Sequence, residues 1–175
     1  MTEIRPLAEP DIAAVAEVNV RTWQSAYAGI MPAEVLDALD PAVFAHRRRA
    51  RTPPPGAETL VADDGGTIVG FVSFGPSRVD QATGDTFDMS AGELYAIYVD
   101  PDRQGSGTGR LLIKAARRAL AKAGFPVMRL WVLEENHPAR RFYEHFGMTP
   151  DGVRQHYTPN GSTVELPEIR YAVRL

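Results

Sequence analysis

Apolar and polar residues alternate along the chain with periods that predict several short strands and helices. In the first half, period-two or short apolar runs predict strands, and 3.6-residue spacing predicts helices. The predicted strands are residues 2–6, 59–62 and 67–74, and the predicted helical regions are residues 11–28 and 32–49, the latter interrupted near Asp40-Pro41. Asp63-Asp64-Gly65-Gly66 is typical of a hairpin turn.

The second half predicts strands separated by helices. Residues 75–92 are polar with no clear period, which predicts a loop. Strands are then predicted at 94–99, 127–133, 152–157 and 166–174, with helices after the first two of them. Strands, then a strand–helix–strand–helix segment, then a hairpin indicate an α/β (α+β) fold. We expect one domain over residues 1–175, with a mixed sheet and helices on both of its faces.

Three glycines stand at alternate positions where a predicted strand passes into a helix. They are Gly105, Gly107 and Gly109, after the strand ending at Val99. Backbone N–H groups at a helix start, together with the helix dipole, attract anions, so the sequence predicts a phosphate or pyrophosphate site here. Neither the P-loop pattern nor the dinucleotide-binding pattern fits this spacing.

Two signatures resemble those of the GCN5-related N-acetyltransferases (GNAT). The first is Q-x-x-G-x-G, which matches residues 104–109 after Val99-Asp100-Pro101. The second is N-x-x-A-x-x-F-Y-x-x-x-G-F, which matches residues 136–148, except that Met148 replaces the final Phe. The resemblance covers roughly residues 93–150 and implies a mostly antiparallel GNAT sheet with a splayed central pair of strands.

The resemblance implies acetyl-coenzyme A as cosubstrate. In that family the glycine loop cradles the pyrophosphate, and the main chain of a bulged strand, here 93–99, holds pantetheine and polarises the acetyl carbonyl. The residues that it assigns to acetyl-CoA are Ile97, Tyr98, Val99, Gln104, Gly105, Ser106, Gly107, Thr108, Gly109, Arg110 and Asn136.

Two residues are candidates for the proton transfers of thioester aminolysis. Tyr143 lies about two helical turns after Asn136, and a neutral phenol can protonate a leaving thiolate; alternatively, it packs with Phe142 in the core. Glu93 can accept the amine proton, or it is an exposed carboxylate at the sheet edge. Alternation places Glu93, Tyr95 and Ile97 on one face of the strand unless a bulge shifts it.

Three aromatic residues are candidates for the acceptor site. Trp23 and Tyr27 share a helix face and belong to a W-x-x-A-Y-x-G-I-x-P stretch that resembles small-molecule acetyltransferases of bacteria. They line an acceptor pocket or attach the helix to the sheet. Tyr95 lines the same channel or is packed in the strand.

Charge and composition limit the partners. The net charge of −3 does not suggest a nucleic-acid partner. No apolar run has the length of a membrane helix and Met1-Thr2-Glu3-Ile4-Arg5 is no signal peptide, so a cytoplasmic protein is expected. The four histidines lack metal-ligand spacing, so no metal is expected. The basic cluster Arg47-Arg48-Arg49 with Arg51 suits a solvated helix end.

The chain contains no cysteine, which excludes a thiol nucleophile. We therefore expect direct attack of a primary amine on acetyl-CoA in a ternary complex, with a small-molecule acceptor. Asp80, Asp85 and Asp88 are candidates for attracting a cationic amine. A protein N-terminus or lysine as acceptor, a regulatory module that binds acyl-CoA without turnover, and a homodimer all stay open.

Overall fold

The computed structural model describes residues 1–79 and 87–175. Its strands are β1 (Thr2–Pro6), β2 (Glu58–Asp64), β3 (Thr67–Arg78), β4 (Phe87–Val99), β5 (Val127–Leu133), β6 (Thr149–Tyr157) and β7 (Leu166–Arg174). Its α-helices are α1 (Ile12–Ala26), α2 (Ala33–Asp37), α3 (Pro41–Ala50), α4 (Thr108–Lys122) and α5 (His137–His145).

The described strands form one sheet in the order β1-β2-β3-β4-β5-β7-β6. The pair β4–β5 is parallel, and the other neighbours are antiparallel. Helices α4 and α5 cover one face, where residues such as Leu112 and Tyr143 join the main core. Helices α1 and α3 cover the other face, where Val15 and Val18 pack on Phe71. The predicted mixed sheet with helices on both faces is confirmed.

The predicted loop at 75–92 is wrong at both of its ends. Strand β3 continues to Arg78, and β4 begins at Phe87. The two glycines that bound this segment are required by close packing in the sheet. A Cβ on Gly75 would lie 2.6 Å from the Tyr95 hydroxyl, and one on Gly92 would lie 2.8 Å from Leu120. Of the three aspartates in this segment, Asp80 and Asp85 lie outside the described residues.

Helices α3 and α5 each follow a residue whose side chain caps the helix. Asp40 caps α3 by accepting a hydrogen bond from Ala42 N–H at 2.8 Å, which explains the break before Pro41. Asn136 caps α5 in the same way through Ala139 N–H at 3.3 Å. Within residues 1–79 and 87–175, no helix combines the length and the apolar character needed to cross a bilayer.

Candidate active site

The parallel strands β4 and β5 separate along their length. They pair only at Gly92 and Glu93 of β4, although β4 continues to Val99 and β5 to Leu133. The edges that face each other beyond this point share no ladder of backbone hydrogen bonds. Backbone donors and acceptors on such an edge can bind an extended ligand. The predicted splayed strand pair is therefore confirmed.

Strand β4 contains a bulge beside the gap. Its pairing with β3 skips Tyr95, because the residues on either side of Tyr95 pair with consecutive residues of β3. The bulge changes which residues share a face. Leu94 and Ile97 pack on the α4–α5 side, whereas Tyr98 packs on the α1 side. The alternation that grouped Tyr95 with Ile97 is shifted for this reason.

A cavity of about 990 Å³ lies at the gap and is lined by residues from both faces of the sheet. Its loop side, as we call it, consists of Gln104, Gly105, Gly107, Gly109, Arg110 and Asn136. Its aromatic side consists of Trp23, Tyr27, Phe44, Arg48, Tyr98, Tyr157 and Glu168. Between the two sides, the walls include Ile97, Val99 and Tyr143. One continuous space thus joins most of the residues that the sequence singled out.

The glycine loop presents backbone donors to the cavity. Gly107 is the N-cap of α4, and the first backbone bond of the helix runs from Leu111 N–H to Gly107 C=O at 3.1 Å. The N–H groups of residues 108–110 therefore precede the helical hydrogen bonds and can bind an anion. Ser106 and Thr108 do not line the cavity; their hydroxyls lie 2.9 Å apart.

The three loop glycines meet two local requirements. Gly105 and Gly107 have φ of +79° and +88°, in the left-handed region that side chains rarely adopt. Gly109 has an ordinary φ, but a Cβ there would lie 3.3 Å from the Phe142 ring. Gln104 fixes the loop to β4, because its Nε2 donates to Val99 C=O at 3.2 Å.

Tyr143 faces the cavity from α5. It is buried, and its ring packs against Phe142 and Tyr171 at centroid distances of 5.5 and 6.5 Å. Tyr143 therefore packs in the core and also lines the cavity. Its hydroxyl makes no hydrogen bond to the rest of the described chain. Burial raises the pKa of the phenol, which keeps it protonated across the physiological range.

Glu93 is buried behind the cavity wall. It is 1% exposed and does not line the cavity, so it is not the exposed edge carboxylate of the alternative interpretation. Arg78 holds it with a backbone N–H at 2.7 Å and guanidinium nitrogens at 2.5 and 3.1 Å. Its role as the base stays a prediction.

The aromatic side is a contiguous group of rings around Trp23. Its indole contacts Tyr27, Tyr98 and Tyr157 edge-on, with centroids 5.2, 6.5 and 6.4 Å away. Trp23 and Tyr27 also pack on buried Leu133 and Met31, so they attach α1 to the sheet as well as line the cavity. Burial raises the pKa of Tyr27 and Tyr98, which keeps both phenols neutral.

Tyr95 lines the cavity but is held in place by its neighbours. Its hydroxyl donates to Pro76 C=O at 2.5 Å, and the Arg78 guanidinium stacks on its ring at 4.6 Å. Burial raises its pKa to about 12. Asp88 does not line the cavity. It accepts hydrogen bonds from Ser90 and from Arg129, which lower its pKa to about 2.

The comparison with protein families decides what kind of protein this is. A model described as the acetyltransferase (GNAT) family matches residues 18–148. This chain belongs to the GNAT acetyltransferase family. The same conclusion follows from the N-acetyltransferase YuaI of Bacillus subtilis (strain 168), an uncharacterised protein that is 34% identical over 155 residues, or 89% of this chain and 83% of that protein.

Solved structures share the fold of this GNAT acetyltransferase. The PaiA N-acetyltransferase of Thermoplasma acidophilum, in complex with coenzyme A, has a TM-score of 0.74 at 20% identity and covers 100% of this chain and 99% of its own. A mycothiol acetyltransferase of Beutenbergia cavernae is 43% identical over only 70 residues, which are 40% of this chain and 24% of that protein.

Several charged residues that line the GNAT cavity were not predicted as site residues from the sequence, and Glu168 and Arg48 are two of them. Glu168 of β7 lines the cavity, accepts a hydrogen bond from Gln155 at 2.8 Å, and has a pKa raised by burial. A hint was available in β7, where Ile169 and Tyr171 alternate with polar residues. Arg48 of α3 also lines the cavity, although it stood in an apparently solvated basic cluster.

The described residues offer no obvious metal centre. Among residues 1–79 and 87–175, no group of three or more His, Cys, Asp or Glu side chains is arranged to hold an ion. The polar groups at the gap are instead backbone amides, a phenol and one carboxylate. These groups suit acyl transfer by hydrogen bonding and proton transfer.

Proposed function

We propose that this protein transfers the acetyl group of acetyl-CoA to a small-molecule amine by direct attack in a ternary complex. The observation that carries the proposal is the single cavity that runs from the glycine loop to the aromatic side past the Tyr143 side chain. A donor bound at one end and an amine bound at the other would meet in the β4–β5 gap. Holding both reactants there removes much of the entropic barrier.

The donor fits the loop side of the cavity. The amides of residues 108–110 and the left-handed glycines Gly105 and Gly107 suit a pyrophosphate that approaches the backbone closely. The open edge of β4 at Ile97 and Val99 suits the amides of pantetheine, and Asn136 lies beside it in the wall. Two relatives of this fold have been crystallised with coenzyme A or acetyl-CoA, which supports the same ligand here.

Acetyl-CoA supplies a thioester whose carbonyl carbon is the electrophile. The amine nitrogen forms the new C–N bond, and the C–S bond to coenzyme A breaks. Tyr143 gives its proton to the leaving sulfur, a role that suits a phenol kept neutral by burial. Since the chain has no cysteine, no thiol of the protein carries the acetyl group in between.

The amine must lose a proton, and two carboxylates compete for that role. Glu93 is buried against Arg78 and does not line the cavity, so it would take the proton through an intervening group rather than by direct contact. Glu168 lines the cavity, and among the described residues no Arg or Lys lies within ion-pair distance of it. Burial raises the Glu168 pKa, which makes the carboxylate a better base near neutral pH. We therefore add Glu168 to Glu93 as a candidate base.

A screen of amines tests the proposed reaction. Release of free coenzyme A is followed with acetyl-CoA present and each amine added in turn. We expect release that depends on the amine, and initial-rate lines that intersect, as a ternary complex requires. Parallel lines with a competent acetyl-enzyme would contradict direct attack. A protein that binds acetyl-CoA but releases no coenzyme A with any amine would instead be a binding module.

Matched variants separate the two candidate bases. Glu93→Gln and Glu168→Gln each remove one carboxylate and keep the side-chain volume. The variant that loses the base should flatten the rise of kcat/KM with pH and leave acetyl-CoA affinity unchanged. If neither variant changes that limb, the amine binds already neutral or loses its proton to water.

A further inference from the structure

Arg48 differs from its neighbours in the basic cluster of α3. Arg47 and Arg49 are exposed, whereas Arg48 is half-buried and lines the cavity. Phe44, one turn earlier on the same helix face, contacts Trp23 of the aromatic side at 6.2 Å. Arg48 therefore points from α3 toward the aromatic side of the cavity rather than into solvent.

The guanidinium of Arg48 lacks an anionic partner. It lies over the Phe71 ring at 5.4 Å, and its Nη1 donates to the Thr59 hydroxyl at 3.3 Å. Among residues 1–79 and 87–175, no carboxylate lies within ion-pair distance of it. Burial lowers the pKa of Arg48, and the nearby charge of Arg51 lowers it further. A partly desolvated cation without a counter-charge is costly unless a ligand supplies one.

The other charges of the aromatic side do not neutralise Arg48. Arg78, the neighbouring cation of the wall, is already paired with Glu93. Glu168, the cavity carboxylate, accepts a hydrogen bond from Gln155 of β6 and makes no ion pair with Arg48. Phe71 lies between Arg48 and Tyr98, with its ring 5.6 Å from the Tyr98 ring. The site thus contains a carboxylate, Glu168, and a cation, Arg48, that are not paired with each other.

We propose that the acceptor is an amine that carries an anionic group, a carboxylate or a phosphonate, which Arg48 binds. The amine end then lies toward the β4–β5 gap and Glu168, and the anionic end lies over Phe71. This assignment rests on the proposed acetyl transfer and narrows its substrate class to amino acids and their phosphonate analogues. A planar guanidinium matches either anion by two parallel hydrogen bonds.

Paired acceptors test the anionic group directly. Phenylalanine is compared with 2-phenylethylamine, leucine with 3-methylbutylamine, and 4-aminobutyrate with propylamine, at saturating acetyl-CoA. We expect the acid of at least one pair to have a kcat/KM roughly tenfold to a hundredfold higher, as for a hydrogen bond to a charged group. The aminophosphonate analogue of that acid then shows which anion binds better. Equal values within every pair would overturn the proposal.

Substitutions in α3 test whether Arg48 causes the preference for the acid over the matched amine. Arg48→Met should raise KM for the preferred acid by that same factor and leave kcat and the matched amine nearly unchanged. Arg48→Lys should restore part of the affinity, because it returns the charge without the fork of donors. Arg47→Met, an exposed neighbour, is the control and should behave like the parent. An equal loss for acid and amine in Arg48→Met would mean that Arg48 only packs on Phe71.

A binding measurement keeps this result separate from turnover. The N-acetylated products of each pair are titrated into the protein with coenzyme A, and the melting temperature is followed. Stabilisation by N-acetyl acids but not N-acetyl amines, lost in Arg48→Met, supports the proposal even if no coenzyme A is released. Absence of coenzyme A release contradicts the proposed reaction, whereas equal stabilisation by both products contradicts only the anion site.

Discussion

The loop side and the aromatic side of the cavity are built in different ways. The loop side comes mainly from one stretch, 97–110, with Asn136 added from α5, and much of what it presents is backbone. The aromatic side is assembled from side chains of α1, α3, β4, β6 and β7, which lie far apart in the sequence. The first surface depends on backbone conformation, and the second on tertiary packing.

Because of this difference, each side of the cavity suits a different substrate. Backbone amides and left-handed glycines suit an anionic, extended donor and cannot discriminate among amines. The aromatic side holds the groups that can discriminate, namely neutral phenols, a carboxylate at Glu168 and a cation at Arg48. Substitutions on the loop side should therefore affect every reaction of the protein, whereas substitutions on the aromatic side should affect particular acceptors.

Tyr143→Phe should have the largest effect, because Tyr143 stands where the two sides meet. Removing the hydroxyl leaves the ring packing intact but removes the proton donor, so kcat should fall roughly 10²–10⁴-fold with acetyl-CoA affinity retained. Because its pKa is raised, Tyr143 should not titrate within the physiological range. Steady-state kinetics and the melting temperature measure both expectations.

Tyr171→Phe is the matched control for Tyr143→Phe. The Tyr171 hydroxyl donates to Glu144 at 2.8 Å and accepts from Arg140 at 3.1 Å, outside the cavity. Its loss should cost about 1 kcal/mol of stability and leave kcat unchanged. If Tyr143→Phe turned over at the parent rate while remaining folded, Tyr143 would have no role as an acid.

Gly107→Ala should have the next largest effect, and only on the loop side. Gly124, at the other end of α4, has φ of +91° against +88° for Gly107, and no atom lies within 4 Å of a Cβ at either position. Alanine should therefore cost each site a similar strain, about 1 kcal/mol. Only the Gly107 variant should bind acetyl-CoA more weakly, by about tenfold, in a thermal-shift titration. Equal shifts in both variants would remove the loop from the donor site.

Most residues of the loop side could be predicted from the sequence because their pattern is local, although Ser106 and Thr108 do not line the cavity. The spacing of Gly105, Gly107 and Gly109 after a strand, and the cap at Asn136, each involve residues close in the chain. Their arrangement around the gap follows once the strand–helix units pack on one sheet. The confirmed splayed strand pair comes from this part of the chain.

The aromatic side was harder to predict because only the folded structure shows which of its charged residues reach the cavity. Arg48 looked like one member of a solvated cluster, and Glu168 like an ordinary polar residue of a hairpin. The bulge at Tyr95 also shifted the strand alternation on which the placement of neighbouring residues depended. The polar segment 75–92 predicted a loop, yet Gly75 and Gly92 each allow close contact within or against the sheet. Such requirements become visible only with the partner residues in place.

The smallest expected effect is on stability: Glu168→Gln should raise the free energy of unfolding. Burial raises the Glu168 pKa above its unfolded value, so the charged form is disfavoured in the folded state. Variant and parent should be equally stable below the unfolded pKa of about 4.3. Their difference should grow as the pH rises from the unfolded pKa to the folded pKa and stay constant above it. We expect a few degrees at most, at about 2–4 °C per kcal/mol for this size.

Glu165→Gln provides the control for that comparison, because Glu165 is exposed and precedes the same strand. Its melting temperature should follow that of the parent at every pH. If Glu168→Gln were less stable than the parent at neutral pH, the carboxylate would be held by favourable contacts, as Glu93 is by Arg78. The Glu168 carboxylate would then have its hydrogen-bond partners within the protein, and it would not be available to an incoming amine.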